Sequence, residues 1–127
     1  MGSSSAVPVA IRTGARHIPG VRRHESAGQA MEMTRQYVAG ELSVLLAHLQ
    51  AVTTTEAAAR DAWSLRHAAE TEPIRALGSV TVRALALAEG LCWESLNRGD
   101  LVAFTRQARV CAELYQFGVC AGLLEEA

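Results

Sequence analysis

Histidine, cysteine and acidic side chains are the groups in this chain that could hold a metal ion. His67 and Glu70 stand three residues apart, so on a helix they lie on the same face and could supply two ligands. Pairs with this spacing are also common on solvated helix surfaces. His48 lies on a different predicted helix, and neither a His-x₃-His nor a Glu-x-x-His pair occurs. The sequence therefore predicts no metal site.

Three cysteines could act as nucleophiles or form disulfides: Cys92, Cys111 and Cys120. Their number is odd and their spacing is not that of metal ligands. Across a helical hairpin that turns near Gly99, Cys92 is opposite residue 107, so Cys111 is displaced along the axis by roughly 6 Å. This is a poor disulfide geometry. Free thiols are typical of a reducing compartment, and we expect a cytoplasmic protein.

Motifs for catalysis or cofactor binding are not recognisable. The sequence lacks a glycine-rich phosphate loop, a nucleophile elbow and a metalloprotease motif. We therefore predict no catalytic residue and no cofactor, and favour a non-enzymatic protein. One alternative stays open, a small-molecule-binding or catalytic bundle whose pocket is formed by Trp63, His67 and Trp93.

The elements that must position these residues are helices. Alanine and leucine dominate the apolar residues, and aromatic residues make up only 5% of the chain. Ala and Leu favour helices, whereas sheets are richer in β-branched and aromatic residues. Apolar residues recur at steps of three and four, which predicts a four-helix, mostly antiparallel bundle. The helices are expected at about 26–52, 54–70, 73–98 and 101–124.

Turn residues separate the predicted helices. Gly99 is suited to end one helix in a left-handed conformation, and Asp100 to accept N–H bonds of the next. Thr53 and Glu56 have the spacing of a capping box for the second helix. Pro73 is tolerated in a first turn, which predicts that it starts the third helix.

Charge divides the chain into a flexible N-terminal arm, residues 1–25, and a helical domain, residues 26–127. Four arginines precede the first acidic residue, Glu25: Arg12, Arg16, Arg22 and Arg23. The arm could bind an acidic partner, a nucleic acid or an anionic membrane surface. The rest of the chain is net acidic, which disfavours a nucleic-acid-binding body. The absence of lysine is typical of a GC-rich bacterial genome.

Two short runs carry a family resemblance. Residues 77–83 (LGSVTVR) and 88–91 (AEGL) resemble the recognition-helix signature of GntR-type winged-helix regulators. The resemblance implies a DNA-binding transcriptional regulator, with residues 97–100 at the tip of the wing. The same segment has more acidic than basic residues, opposite to a phosphate-binding surface.

The fourth helix has more apolar surface than one bundle face needs. One stripe contains Val110, Leu114, Phe117 and Leu124, and an adjacent stripe contains Tyr115. An excess of this kind predicts contact with another chain. We expect a protein-interaction or regulatory module that forms a homodimer through these five residues. No apolar run has the length of a membrane span, and none is typical of a secretory signal.

Overall fold

The computed structural model describes the backbone of residues 20–124 and the side chains of residues 34–124. The chain divides into two units, Met1–Thr34 and Arg35–Ala127. In the first unit residues 20–34 are helical, and the second unit holds the bundle. The described residues form no strand but four helices: α1 (Gly20–Ala51), α2 (Glu56–Thr71), α3 (Leu77–Arg98) and α4 (Leu101–Cys120). The all-α bundle predicted from the sequence is confirmed.

Consecutive helices are antiparallel. At the C-terminal end of α2, the Arg35 guanidinium of α1 donates to the carbonyl oxygens of Glu70 (3.3 Å) and Glu72 (2.7 Å). The Ser43 hydroxyl of α1 donates to the Glu70 carboxylate at 2.9 Å. The α3 and α4 helices form a hairpin, whose two arms are joined by a buried bond between Ser95 and Gln107.

The start of α1 differs from the prediction. The helix begins at Gly20, six residues before the expected Ser26, so Arg22 and Arg23 have helical backbones. Their side chains, and all of Arg12 and Arg16, lie outside the described residues. The proposed binding role of the arm stays a prediction.

The cap of α2 is Thr55, and the prediction of a capping box from Thr53 is wrong. The Thr55 hydroxyl accepts a hydrogen bond from the Ala58 N–H at 3.1 Å, the usual N-cap arrangement. The Thr53 hydroxyl instead donates to the Gln50 carbonyl at 2.7 Å and closes the end of α1. Two threonines of one run thus serve two different helix ends.

The start of α3 also differs from the prediction. Pro73 precedes a short 3₁₀ turn, Ile74–Ala76, and the α-helix begins only at Leu77. The Ala76 N–H donates to the Pro73 carbonyl at 2.9 Å, which closes the tighter turn. Proline is compatible with either start because its fixed φ suits both.

The turn between α3 and α4 is as predicted. Gly99 has φ 74°, in the left-handed region, and its N–H donates to Leu96 O at 3.0 Å. The Asp100 N–H donates to Ser95 O at 2.9 Å, while its carboxylate accepts from the Ala103 N–H at 3.1 Å. Two of the terminal carbonyls of α3 and one terminal N–H of α4 thereby gain partners.

The end of α4 comes earlier than expected. The helix stops at Cys120 rather than near Leu124, because Gly122 takes a left-handed φ of 75° and turns the chain back. The Leu123 N–H then donates to the Gly118 carbonyl at 2.7 Å. Leu124 packs over Gly118, where no side chain stands in its way.

All four helices contribute to one core of leucine, valine and alanine side chains. The largest fully buried apolar residues are Leu42, Leu46, Leu49, Leu77 and Leu114. Val110 is 5% exposed and Leu114 is completely buried, so both contact other helices of the same chain. These two residues therefore offer little surface to a second copy, and the homodimer interface stays a prediction.

Candidate functional site

An open apolar groove runs along the hairpin of α3 and α4. Its volume is about 530 Å³. From α3 it is lined by Leu85, Glu89, Cys92, Trp93 and Leu96, and from α4 by Phe104, Ala108, Cys111, Ala112 and Tyr115. We refer to these ten residues as the α3–α4 groove.

The groove exists because α4 is apolar on two faces. With 3.6 residues per turn, Phe104, Ala108, Cys111 and Tyr115 follow one another along one side of the helix. A neighbouring side carries the buried residues Gln107, Val110, Leu114 and Gly118. The sequence predicted both stripes, and the structure shows that the second lines the groove.

On α3 the core and groove stripes are also adjacent, which the sequence interpretation missed. Leu85 and Cys92 line the groove, whereas Leu77 and Ala88 of the same helix are fully buried. Leu85, Cys92 and Leu96 are separated by seven and four residues, a helical period of their own. That spacing is the signal that could have identified the second face.

Large apolar side chains at the groove are exposed to solvent. Trp93 is 65% exposed, Tyr115 44% and Leu96 41%. Ala112 is exposed as well, and its small side chain leaves the groove open. Apolar area that the fold does not cover is typical of a binding surface.

The chemistry of the groove is that of neutral thiols beside one carboxylate. Burial raises the pKa of Cys92, and the nearby charge of Glu89 raises it further. Burial also raises the pKa of Cys111, with smaller contributions from Cys92 and Glu89. Both thiols are free, as predicted. A raised pKa keeps them protonated at neutral pH, which disfavours them as nucleophiles or metal ligands.

The predicted pocket residues do not come together. Trp93 lines the groove, whereas Trp63 and His67 do not. These two residues stack on each other along α2, with ring centroids 5.5 Å apart and planes 2° from parallel. Glu70, the suggested second metal ligand, accepts the Ser43 hydrogen bond and lies 4.0 Å from Arg66 Nε. Within residues 34–124 no three potential ligands are grouped around a common point.

The remaining predicted interface residues are distributed over different surroundings. Phe117 is half-buried and packs against the core. Leu124 is half-buried over Gly118. Tyr115 is the member of the predicted set that both lines the groove and remains well exposed.

The segment that resembles a DNA-recognition helix lies within the hairpin. Thr81 is completely buried, and its hydroxyl donates to the Leu77 carbonyl at 2.7 Å, so it faces the core. Residues 97–100 form the end of α3 and the turn into α4, not the tip of a wing. The winged-helix fold that the resemblance implies is therefore wrong.

One described segment, Ile74–Arg98, is long and apolar enough by composition to cross a membrane, with 33% of its most apolar window buried. Core helices of water-soluble proteins meet the same criterion. Between residues 20 and 124 no clear membrane span is therefore indicated.

No protein-family model, curated protein or solved structure matches this chain.

Proposed function

We propose that the chain is a small non-enzymatic protein-interaction module and that the α3–α4 groove is its docking surface. The observation that carries this proposal is the exposed apolar lining on a side of the hairpin that the bundle does not use. Covering such a surface removes apolar area from water, which stabilises a complex by about 25 cal/mol per Å² before the costs of association.

The groove chemistry supports binding rather than catalysis. Its lining is mostly apolar with Glu89 as its one charged residue, and the raised pKa of Cys92 and Cys111 works against a thiolate reaction. Free cysteines also support the proposal of a cytoplasmic protein. Self-association, which the sequence predicts, would use the same surface, with Tyr115 as its contact residue in place of Val110 and Leu114.

The test compares two single-charge variants of α4. Ala112→Glu places a carboxylate in the groove, whereas Gln116→Glu adds the same charge to an exposed position of the same helix outside the groove. Circular dichroism and thermal melting first establish that both variants are folded. Binding is then followed by affinity capture from a lysate of the source organism and by light scattering of the purified protein.

We expect a bound protein, or a self-associated state, that survives Gln116→Glu and is lost with Ala112→Glu. Loss is expected because a carboxylate buried in an apolar contact keeps a large desolvation cost. If the parent and both variants behave alike in the two measurements, the groove is not a docking surface and the proposal is wrong.

A further inference from the structure

We infer that the α3–α4 groove binds an amphipathic helix of a different protein, and that this helix carries an arginine or lysine opposite Glu89. The inference rests on the proposed function and specifies its partner. Glu89 is the one charged residue among the ten that line the groove. Among the described residues, Glu89 forms no ion pair.

The shape of the groove suits a helix. Leu85 and Leu96 stand at its two ends on α3. The eleven helical steps between them span about 16 Å, or about three turns. The two antiparallel helices α3 and α4 form a channel that a partner helix could occupy. The channel is lined by two small residues, Ala108 and Ala112, and by the aromatic side chains of Trp93 and Phe104. An occupant of this kind inserts apolar residues spaced at three and four positions.

The position of Glu89 determines where the cation belongs. Glu89 is four residues from Leu85 and seven from Leu96, so its carboxylate lies near the middle of the groove. The negative charge of Glu89 acts within the groove, since it contributes to the raised pKa of both Cys92 and Cys111. A docked helix would remove water from this carboxylate, and a cationic side chain at the edge of the apolar stripe would offset that cost.

A second copy of the groove supplies no such cation. The arginines of the hairpin are absent from the groove lining; they are Arg83, Arg98, Arg106 and Arg109. Two grooves facing each other across a two-fold axis would bring two Glu89 carboxylates into one apolar interface. Like charges in such an interface oppose association. The electrostatics therefore disfavour a two-fold pairing of two grooves and favour a partner helix that carries a cation.

The experiment selects helical peptides from a display library with a fixed leucine pattern and randomised positions beside the apolar stripe. Selection is carried out on the parent and on two charge-reversal variants, Glu89→Arg in the groove and Glu94→Arg. Glu94 is the matched control, because it is exposed on the same helix but does not line the groove. Peptides that also bind Ala112→Glu are discarded as independent of the groove.

In peptides selected on the parent and on Glu94→Arg, we expect one randomised position beside the apolar stripe to be enriched in basic residues about fivefold over acidic ones. A partly shielded ion pair would produce an enrichment of this size. Glu89→Arg should reverse this preference. Affinities of selected peptides are then measured by Trp93 fluorescence in a Trp63→Phe background, which leaves Trp93 as the sole tryptophan.

Three outcomes would overturn the inference. If groove-dependent peptides are selected without a charge preference, the groove binds helices but Glu89 does not determine which helices bind. The proposed function then stands. If light scattering shows a dimer that Ala112→Glu dissociates, the occupant is a second copy and the proposed function again stands. If no peptide depends on the groove and Ala112→Glu changes neither capture nor mass, both proposals fail.

Discussion

The Ser95 hydroxyl donates a 2.7 Å hydrogen bond to Gln107 Oε1, and both side chains are completely buried between α3 and α4. The amide nitrogen of Gln107 donates in turn to the Val52 carbonyl at 3.0 Å, just after the end of α1. One amide therefore joins three helices. In the described residues no buried side-chain polar atom lacks a partner, and these two bonds are part of the reason.

Gln107→Leu should destabilise the fold by about 1–3 kcal/mol, because it leaves the Val52 carbonyl without its bond and the Ser95 hydroxyl without its acceptor. Urea unfolding followed by circular dichroism measures this loss. Gln116→Leu is the control, since Gln116 is exposed on the same helix and should change the free energy of unfolding by less than about 0.5 kcal/mol. Equal stability of the two variants would contradict the role of the Gln107 amide.

Gly99→Val should lower the free energy of unfolding by more than about 1 kcal/mol, because a β-branched residue is strained at φ 74°. Asp100→Ala should cost about 0.5–2 kcal/mol through loss of the N-cap of α4. Gly90→Ala provides the contrast. An added Cβ there meets nothing within 4 Å, so this helical substitution should stabilise by up to about 1 kcal/mol. Thermal melting that ranks Gly99→Val above the parent would refute the turn geometry.

Gly118→Ala should destabilise by about 1–3 kcal/mol, because its methyl group would overlap the Leu124 side chain and press on Thr81. Adding Leu124→Ala removes the atoms that clash, so the double variant should recover part of the loss. A double-mutant cycle of melting data measures this coupling. If the two substitutions are simply additive, the C-terminal turn does not pack on Gly118.

Alkylation of Cys92 and Cys111 by iodoacetamide should be slow at neutral pH and should accelerate only as the solution becomes more alkaline than an ordinary thiol requires. The sign follows from their raised pKa values, which reduce the reactive thiolate fraction at any given pH. Glu89→Gln removes a negative charge and should shift both pH profiles toward lower pH. Peptide mass spectrometry across a pH series resolves each cysteine. Profiles that do not move in Glu89→Gln would show that its charge does not reach the thiols.

The local backbone conformation could be predicted from the sequence wherever neighbouring residues determine it. Gly99 and Asp100 specify a helix end and a helix start through their own backbone and side chain, so the hairpin was predictable. The two apolar stripes of α4 follow from helical periodicity alone. The sequence did not resolve which threonine caps α2. Thr53 and Thr55 can both accept a backbone hydrogen bond, and only the path of the chain selects Thr55.

The assignment of each apolar face to the core or to the surface was decided by tertiary packing. Periodicity shows that Leu114 and Tyr115 lie on different stripes, but it does not say which stripe another helix of the chain covers. Packing of the bundle buried Leu114 completely and left Tyr115 in the groove. The same holds for Trp63 and Trp93, which stand on separate helices and of which only Trp93 lines the α3–α4 groove. Helix identity depends on residues close in sequence, whereas a binding surface depends on which faces remain uncovered after the helices have packed.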